Sequence, residues 1–207
     1  KAFIPMCAFR AKRERNGIYY EKNHIFGIEI ERSKSMSIAI IYSSKTGNTK
    51  MLAEWIQEKL QNEDIVYFGN ATEELPNADI YIIGSWTDKG NPTNDIIKAL
   101  KEIKNKKIAY FGTAGFGGSE EYYKKLFERV KVNIDSSNEI LGYFYCQGKM
   151  PMQVRERYEQ MVIQNPEDVH LKAAIENFDE ASTHPDEEDK SNVKMWVECN
   201  ILNKSLL

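Results

Sequence analysis

The sequence predicts an α/β fold built on a doubly wound, five-stranded parallel sheet and completed by a C-terminal helical extension. From Met36 onward, short apolar runs alternate with longer amphipathic segments, which is the pattern of β-α units. The apolar runs are continuous and rich in β-branched and aromatic residues, as expected for strands that helices cover on both faces. With 207 residues, the chain can bury one core of ordinary size, and two independent enzymatic domains are not expected.

Five apolar runs predict the strands of this sheet. The first, with the sequence SIAIIY, directly follows Met36, and the second is the weakest of the five. A segment with helical periodicity separates most of these runs, so parallel neighbours joined by crossover helices are expected. The predicted strands are Ser37–Tyr42, Ile65–Phe68, Ile80–Gly84, Ile108–Thr113 and Ile140–Cys146.

Amphipathic segments between and after the strands predict the helices. In the first helix, Leu52, Trp55, Ile56 and Leu60 fall on one stripe. Beyond the fifth strand, Pro151 stands where a proline can open a helix, and later prolines separate further helical segments. The predicted helices are Lys50–Gln61, Asp95–Ile103, Glu120–Val130, Met152–Met161 and Glu167–Ala181, and a last apolar stripe comprises Val193, Trp196, Val197 and Ile201.

These elements predict a β-α domain over residues 36–165 and a helical extension over residues 166–207 that packs on it. Residues 1–35 fit this scheme poorly, although residues 17–30 have the pattern of a small β-hairpin. The first strand directly follows Met36, a natural translation start. We therefore expect residues 1–35 to be either a true appendage or a segment derived from cloning or translation.

Composition and charge exclude several classes of function. Residues 36–207 carry 20 basic and 27 acidic side chains, a formal charge of −7, which disfavours nucleic acid as a partner. No stretch is long and apolar enough for a membrane span, and no signal peptide is evident, so we expect a cytoplasmic protein that does not insert into membranes. The cysteines and histidines lie far apart, which argues against a metal site, a disulfide framework or a nucleophilic triad.

The strongest functional signal lies between the first strand and the first helix. Hydroxyl side chains, one glycine and the start of a helix converge there, and such a segment offers backbone amides and a positive dipole end to an anion. It matches neither the Walker phosphate loop nor the G-x-G-x-x-G dinucleotide fingerprint. We predict a phosphate-binding loop formed by Ser43, Ser44, Lys45, Thr46, Gly47, Asn48 and Thr49.

Two further loops follow the third and fourth predicted strands, where a doubly wound sheet places its ligand crevice. The second loop contains an aromatic residue and a glycine within a polar turn, and the third contains small residues around one phenylalanine. The predicted site residues are Ser85, Trp86, Thr87, Asp88, Lys89 and Gly90 in the second loop, and Thr113, Ala114, Gly115, Phe116, Gly117 and Gly118 in the third.

The chain resembles the flavodoxins, whose phosphate loop reads [ST]-x-T-G-x-T after the first strand. Ser44, Thr46, Gly47 and Thr49 match that motif position by position, and the resemblance covers nearly all of residues 36–150. It implies the strand order 2-1-3-4-5 and an FMN cofactor whose phosphate the first loop holds.

The resemblance also implies how the isoalloxazine ring is bound. Trp86 would stack on one face of the ring and Phe116 on the other, because aromatic stacking adds to the free energy of burial. Gly90, which tolerates a positive φ, would let a backbone carbonyl turn toward the flavin.

The uninterrupted fifth strand is similar to that of short-chain flavodoxins, whereas the helical extension departs from them. The run from Trp86 to Gly90, together with Gln147–Pro151, is similar to a flavodoxin-like group that accompanies bacterial bilirubin reductases. The resemblance implies an electron carrier between a reductase and an acceptor redox protein, with a bilirubin or tetrapyrrole reductase as a candidate partner.

Two alternatives to the carrier stay open at the level of sequence. The chain could be a flavin enzyme, such as an NAD(P)H:quinone reductase or a protoporphyrinogen-type oxidase, whose tail helices build a substrate pocket. It could also be a cofactor-free interaction domain that uses the first loop as an anion site. The carrier is favoured because it requires no catalytic side chain, since the redox chemistry belongs to the cofactor.

Overall fold

A computed structural model of the chain describes residues 36–202. The predicted N-terminal segment 1–35, including its hairpin, lies outside the described residues, as do residues 203–207. The predicted sheet and the helices around it fall within the described part.

One parallel sheet forms the centre of the molecule. Its strands are β1 Ile38–Ser43, β2 Ile65–Asn70, β3 Ile80–Trp86, β4 Lys107–Ala114 and β5 Glu139–Gln147. Their order is β2-β1-β3-β4-β5, which confirms the predicted fold class and strand order. Each strand end lies within two residues of its predicted position, because the apolar runs that define the strands are local features of the sequence.

Six helices surround the sheet. They are α1 Asn48–Lys59, α2 Asn94–Glu102, α3 Glu120–Lys131, α4 Met152–Gln164, α5 Val169–Ala181 and α6 Glu187–Val197, and a π-helical turn follows at Glu198–Leu202. An aspartate caps the N-terminus of each of the helices α5 and α6. Asp168 accepts hydrogen bonds from the amides of His170 and Leu171, and Asp186 forms a capping box with Asp189. Among the helices in residues 36–202, none combines the length and apolarity of a membrane span.

Two apolar clusters fill the space on either side of the sheet. One joins Ile40 of β1 to Leu52 of α1 and to Trp196 of α6. The other joins Ile41 of β1 to helices α2 and α3, with Ile96 and Phe127 among its members. Burial on both faces explains why the strands are apolar at consecutive positions.

The helices after β5 contribute unequally to this core. Helix α6 and the turn after it place Val193, Trp196, Val197 and Ile201 in the cluster that includes α1. Helix α4, in contrast, has no buried residue, and it contacts α5 as its neighbour in an antiparallel pair. We call α4 and α5 the helical hairpin; the predicted domain boundary at residue 165 falls inside it and stays a prediction.

Candidate functional site

The three predicted loops meet at the carboxyl edge of the sheet. The hydroxyls of Thr49 and Thr113 lie 2.9 Å apart and link the first loop to the third. The amide of Thr87 donates to the carbonyl of Thr113 at 2.9 Å and links the second loop to the third. We call the segments 43–49, 85–90 and 113–118 the loop cluster.

The first loop turns sharply into α1. Gly47 occupies the N-cap position with a φ of 90°, and a Cβ at this position would meet no atom within 4 Å. The Asn48 side-chain amide donates to Thr46 Oγ1 and to the Lys149 carbonyl, each at 2.9 Å, while the Lys50 amide donates to Ser44 Oγ at 3.2 Å. Since the first amides of a helix have no intrahelical acceptor, the loop offers donors to an anion.

Three of the predicted site hydroxyls are buried and support the shape of the loops. Thr49 is 0% exposed and Thr113 3% exposed, and their hydroxyls bind each other. Ser85 is also fully buried; its hydroxyl donates to the Trp86 carbonyl and accepts the Thr93 amide at 3.0 Å. In the first loop, the residues exposed to solvent are Lys45, Thr46 and Gly47, and a ligand can reach these first.

Trp86 stands at the end of β3 and is half-buried. The Nζ atom of Lys45 lies 5.0 Å from the centroid of the Trp86 ring, a cation–π contact that joins the first loop to the second. The ammonium covers a face of the ring, so a planar ligand stacked on that same face would have to displace Lys45.

The rest of the second loop forms a tight turn. Asp88 and Asn91 exchange two backbone hydrogen bonds, of 2.8 and 2.9 Å, and Lys89 and Gly90 between them have φ values of 49° and 83°. The Gly90 carbonyl accepts a hydrogen bond from Arg129 Nη1 of α3 at 3.2 Å. The predicted turning of this carbonyl toward a flavin stays a prediction, and sequence reasoning missed Arg129, which lies 39 positions away.

Side chains from the end of β5 and from the segment after it pack on the third loop. A Cβ on Gly115 would lie 2.4 Å from Met150 Sδ, and one on Gly117 would lie 2.3 Å from Gln147 Cγ. A side chain at either glycine would therefore displace these neighbours, a contact that the sequence context alone does not predict. Phe116 is 43% exposed, Gly118 has a φ of 84°, and Ala114 ends β4 in a buried position.

The helical hairpin contacts the third loop through Asn177. Its side-chain amide donates to the Gly115 carbonyl at 2.9 Å, and its oxygen accepts a hydrogen bond from Gln147 Nε2 at 3.0 Å. Within the hairpin, Arg155 Nε donates to Asp179 Oδ1 at 2.9 Å, and this hydrogen bond lowers the pKa of Asp179. Sequence reasoning also missed Asn177, because no local pattern relates a helical asparagine to a loop 62 positions earlier.

Burial raises the pKa of Tyr123, a titratable residue that packs on the third loop. The Tyr123 hydroxyl would lie 2.5 Å from a Cβ on Gly117, and its ring stacks on Tyr145 with centroids 5.6 Å apart. Desolvation raises the pKa of Tyr123 well above its ordinary value. Like an ordinary tyrosine hydroxyl, that of Tyr123 is neutral at physiological pH and brings no charge to the third loop.

The sequence of this chain is similar to those of several known proteins. The sequence profile of the flavodoxin domain family matches residues 39–198. A flavodoxin-like domain-containing protein BilS from Clostridioides difficile (strain CD3) is 34% identical over 176 residues, covering 83% of this chain and 100% of the relative. A protein of the same description from Clostridium symbiosum (strain WAL-14163) is 37% identical over 171 residues, covering 74% of this chain and 90% of the relative.

A solved structure shares the fold. The flavodoxin of Streptococcus pneumoniae TIGR4 aligns with a TM-score of 0.51 at 15% identity, covering 81% of this chain and 99% of that protein. At 15% identity, the alignment shows only that the two proteins share an arrangement of strands and helices.

Proposed function

This chain belongs to the flavodoxin domain family, and we propose that it binds one FMN at the loop cluster and carries electrons between a reductase and an acceptor redox protein. The observation that carries the proposal is the first loop. It combines a family-like motif with an open, hydroxyl-bearing turn at the start of α1, where Gly47 leaves free space in front of the helix.

The residues of the first loop fit a phosphate group. Ser44 and Thr46 present hydroxyls, the first amides of α1 lack intrahelical acceptors, and the exposed Lys45 adds a positive charge. Each hydrogen bond to a charged group contributes about 1.5–3 kcal/mol, so a few of them suffice for tight binding. Thr49 and Thr113 would act by holding the loop in shape, since their buried hydroxyls bind each other.

The second and third loops fit a flat aromatic ring. Trp86 and Phe116 would flank it, with Lys45 moving from the Trp86 ring when that face is used. When bound, FMN supplies the redox chemistry, and the chain binds it, orients it and limits its contact with water. The formal charge of −7 on residues 36–207 would disfavour a reduced anionic flavin and so lower its potential.

The acceptor protein that we propose is a bilirubin or tetrapyrrole reductase. The likeness of the second loop and of Gln147–Pro151 to the group that accompanies such enzymes supports this partner. An acidic surface favours a partner with a basic docking face, because complementary charge speeds the encounter.

The first experiment is to purify the full chain, release its cofactor and identify it by mass spectrometry. We expect a yellow protein with one FMN per chain and negligible NAD(P)H oxidation by the protein alone. Electron transfer from a separate flavodoxin reductase should slow as salt rises to physiological ionic strength, where the Debye length is about 8 Å. A colourless protein that does not bind added FMN would contradict the proposal and favour the cofactor-free alternative.

A second candidate function follows from the helical hairpin. Its Asn177 binds the third loop, so α4 and α5 stand where they could form one side of a substrate pocket beside a flavin. This arrangement favours a flavin enzyme, such as an NAD(P)H:quinone reductase or a protoporphyrinogen-type oxidase. Rapid NAD(P)H turnover with a quinone and no second protein would establish it over the carrier.

A further inference from the structure

A cleft of about 510 Å³ lies along the outer edge of β5, on the far side of that strand from β4. Tyr123, Tyr143 and Tyr145 line one side of it, and Phe144 and Trp196 line the other. The proposed FMN site does not use these aromatic side chains. The cleft is therefore a second feature of the molecule that needs its own explanation.

Among the described residues, the edge of β5 that faces the cleft is not paired with another strand, because β5 is the last strand of the sheet. The Gly148 amide donates inward to the Ala114 carbonyl, and the direction of the backbone groups alternates along a strand. The amides and carbonyls of Tyr143, Tyr145 and Gln147 therefore face outward, as in a strand that can accept another.

Acidic side chains predominate in the lining of the cleft. Its lining includes Glu120, Glu180, Asp186, Glu188 and Asp189, and no lysine or arginine of the described chain lines it. The lysines of α6 are engaged elsewhere: Lys194 pairs with Glu58 of α1 at 2.9 Å, and Lys190 lies 5.9 Å from the ring of Trp55. The cleft thus attracts positively charged groups.

A buried donor in the lining has no acceptor among residues 36–202. Trp196 is 3% exposed, and no described residue accepts a hydrogen bond from its indole Nε1. It lies beside Gly142 of β5, where a Cβ would come within 3.5 Å of that nitrogen. A buried N–H without a partner is unfavourable, and a carbonyl oxygen brought to this end of the cleft would relieve the cost.

A metal ion does not explain the carboxylates. His184, Asp186 and Asp189 lie within 4.8 Å of one another, but the two aspartates already act as helix caps. Asp189 Oδ2 accepts hydrogen bonds from His184 Nδ1 at 2.6 Å and from the Asp186 amide at 3.0 Å. An ion at that oxygen would compete with both donors.

We propose that this cleft binds an extended, basic peptide segment of a partner protein, which adds as a strand to the outer edge of β5. Such a peptide would account for each feature of the cleft. Its backbone would pair with β5, and one of its carbonyls could accept a hydrogen bond from Trp196 Nε1. Its Lys or Arg side chains would form ion pairs with the carboxylates. A polyamine would satisfy the carboxylates but would leave Trp196 and the β5 amides without acceptors. The cleft shares Gly118 with the loop cluster, but the β5 edge and Trp196 do not belong to the proposed FMN site, so the proposal does not depend on FMN binding.

The direct test titrates the full chain with the peptide acetyl-Lys-Val-Lys-Val-Lys-Val-amide and follows binding by calorimetry and amide hydrogen exchange. We expect binding that weakens with salt, and at least about tenfold slower exchange at Tyr143, Tyr145 and Gln147. The matched peptide with Glu in place of each Lys should not bind. A peptide with Pro in place of each Val should bind much more weakly, because proline has no amide to donate.

Two variants test the residues that carry the proposal. Trp196→Phe keeps a ring but removes the unpartnered N–H, so it should weaken the peptide about fivefold. Because Trp196 is a core residue, this variant should also melt at a lower temperature, and its affinity is compared well below that temperature. The pair Glu180→Gln and Glu188→Gln should weaken it by a similar factor, whereas Glu73→Gln with Glu74→Gln, beyond the opposite edge strand β2, should have no effect.

Several outcomes would overturn the proposal. They are equal binding of the acidic and basic peptides, exchange protection along β2 instead of β5, or full affinity in Trp196→Phe together with the glutamate pair. Displacement of the peptide by spermidine, with no protected amide in β5, would identify a cation site and not a strand-binding site.

Discussion

The loop cluster and the helical hairpin lie side by side at the carboxyl edge of the sheet, but they are held in different ways. Buried hydroxyls tie the loops into the strands, as in the Thr49–Thr113 pair. The hairpin reaches the same edge through the polar contacts of Asn177 and has three buried residues in α5, whereas its helix α4 has none. The loops are thus tied into the sheet by buried groups, whereas α4 contributes no buried side chain and is the less firmly held part of the hairpin.

The largest loss of stability is expected when the buried hydrogen bond between Thr49 and Thr113 is removed. Thr49→Val leaves the Thr113 hydroxyl buried without a partner, which costs about 1–3 kcal/mol, and thermal unfolding should shift by about 2–4 °C for each kcal/mol. The double variant Thr49→Val with Thr113→Val should recover most of the loss, because both hydroxyls are then gone.

Thr72→Val is the matched control for that experiment. Its hydroxyl donates to the Glu74 carbonyl at an exposed position, so the change should stay within about 0.5 kcal/mol. Equal losses at positions 49 and 72, measured without added flavin, would show that the buried pair does not support the loops.

A smaller effect is expected at the turn of the second loop. In Gly90→Ala, the left-handed conformation costs about 1 kcal/mol, and the new Cβ would lie 2.0 Å from Arg129 Nη1 and displace it. Gly118→Ala is the control, because it has nearly the same φ and open space for its Cβ. A greater loss of stability for Gly90→Ala isolates the Arg129 contact, and equal losses would rule that contact out as a stabilising one.

The same two variants sharpen the prediction for the flavin. If the Gly90 carbonyl turns toward bound FMN, Gly90→Ala should shift the midpoint potential of the bound flavin more than Gly118→Ala does. Unchanged potentials in both variants, with FMN still bound, would mean that the turning carbonyl belongs to another residue.

The smallest effect concerns the hairpin and its dependence on pH. The Arg155 hydrogen bond lowers the pKa of Asp179 below its ordinary value of 3.8, so this pair stabilises the hairpin at neutral pH. The contribution is lost as the pH falls below about 3.8 and Asp179 is protonated. We expect amides of α4 to lose hydrogen-exchange protection there while those of β1 keep theirs.

Arg155→Gln provides the control for the hairpin. Without the guanidinium, α4 should be less protected already at neutral pH, and its protection should change little as the pH falls. Simultaneous loss of protection in α4 and β1 of the unmodified protein would show that the hairpin and the core unfold as one unit.

The difference between the two regions also explains what the sequence could predict. The strands and the first loop were predictable because each depends on neighbours within one strand-loop-helix unit, as with Gly47 between β1 and α1. The contacts of Arg129 with Gly90 and of Asn177 with Gly115 were not, because they join positions 39 and 62 residues apart. The buried roles of Ser85 and Thr49 could not be predicted either. The sequence does not distinguish a loop hydroxyl that faces a ligand from one that binds another part of the protein.

The central claim is that the first loop binds the phosphate of FMN, and the comparison of FMN with riboflavin tests it most directly. The affinities of both flavins are measured for the unmodified chain, for Thr46→Ala in the first loop and for Thr72→Ala outside it. We expect FMN to bind far more tightly than riboflavin, and Thr46→Ala to weaken FMN about tenfold or more while riboflavin is unaffected. Equal affinities of the two flavins in the unmodified chain, or equal weakening of both by Thr46→Ala, would contradict the account.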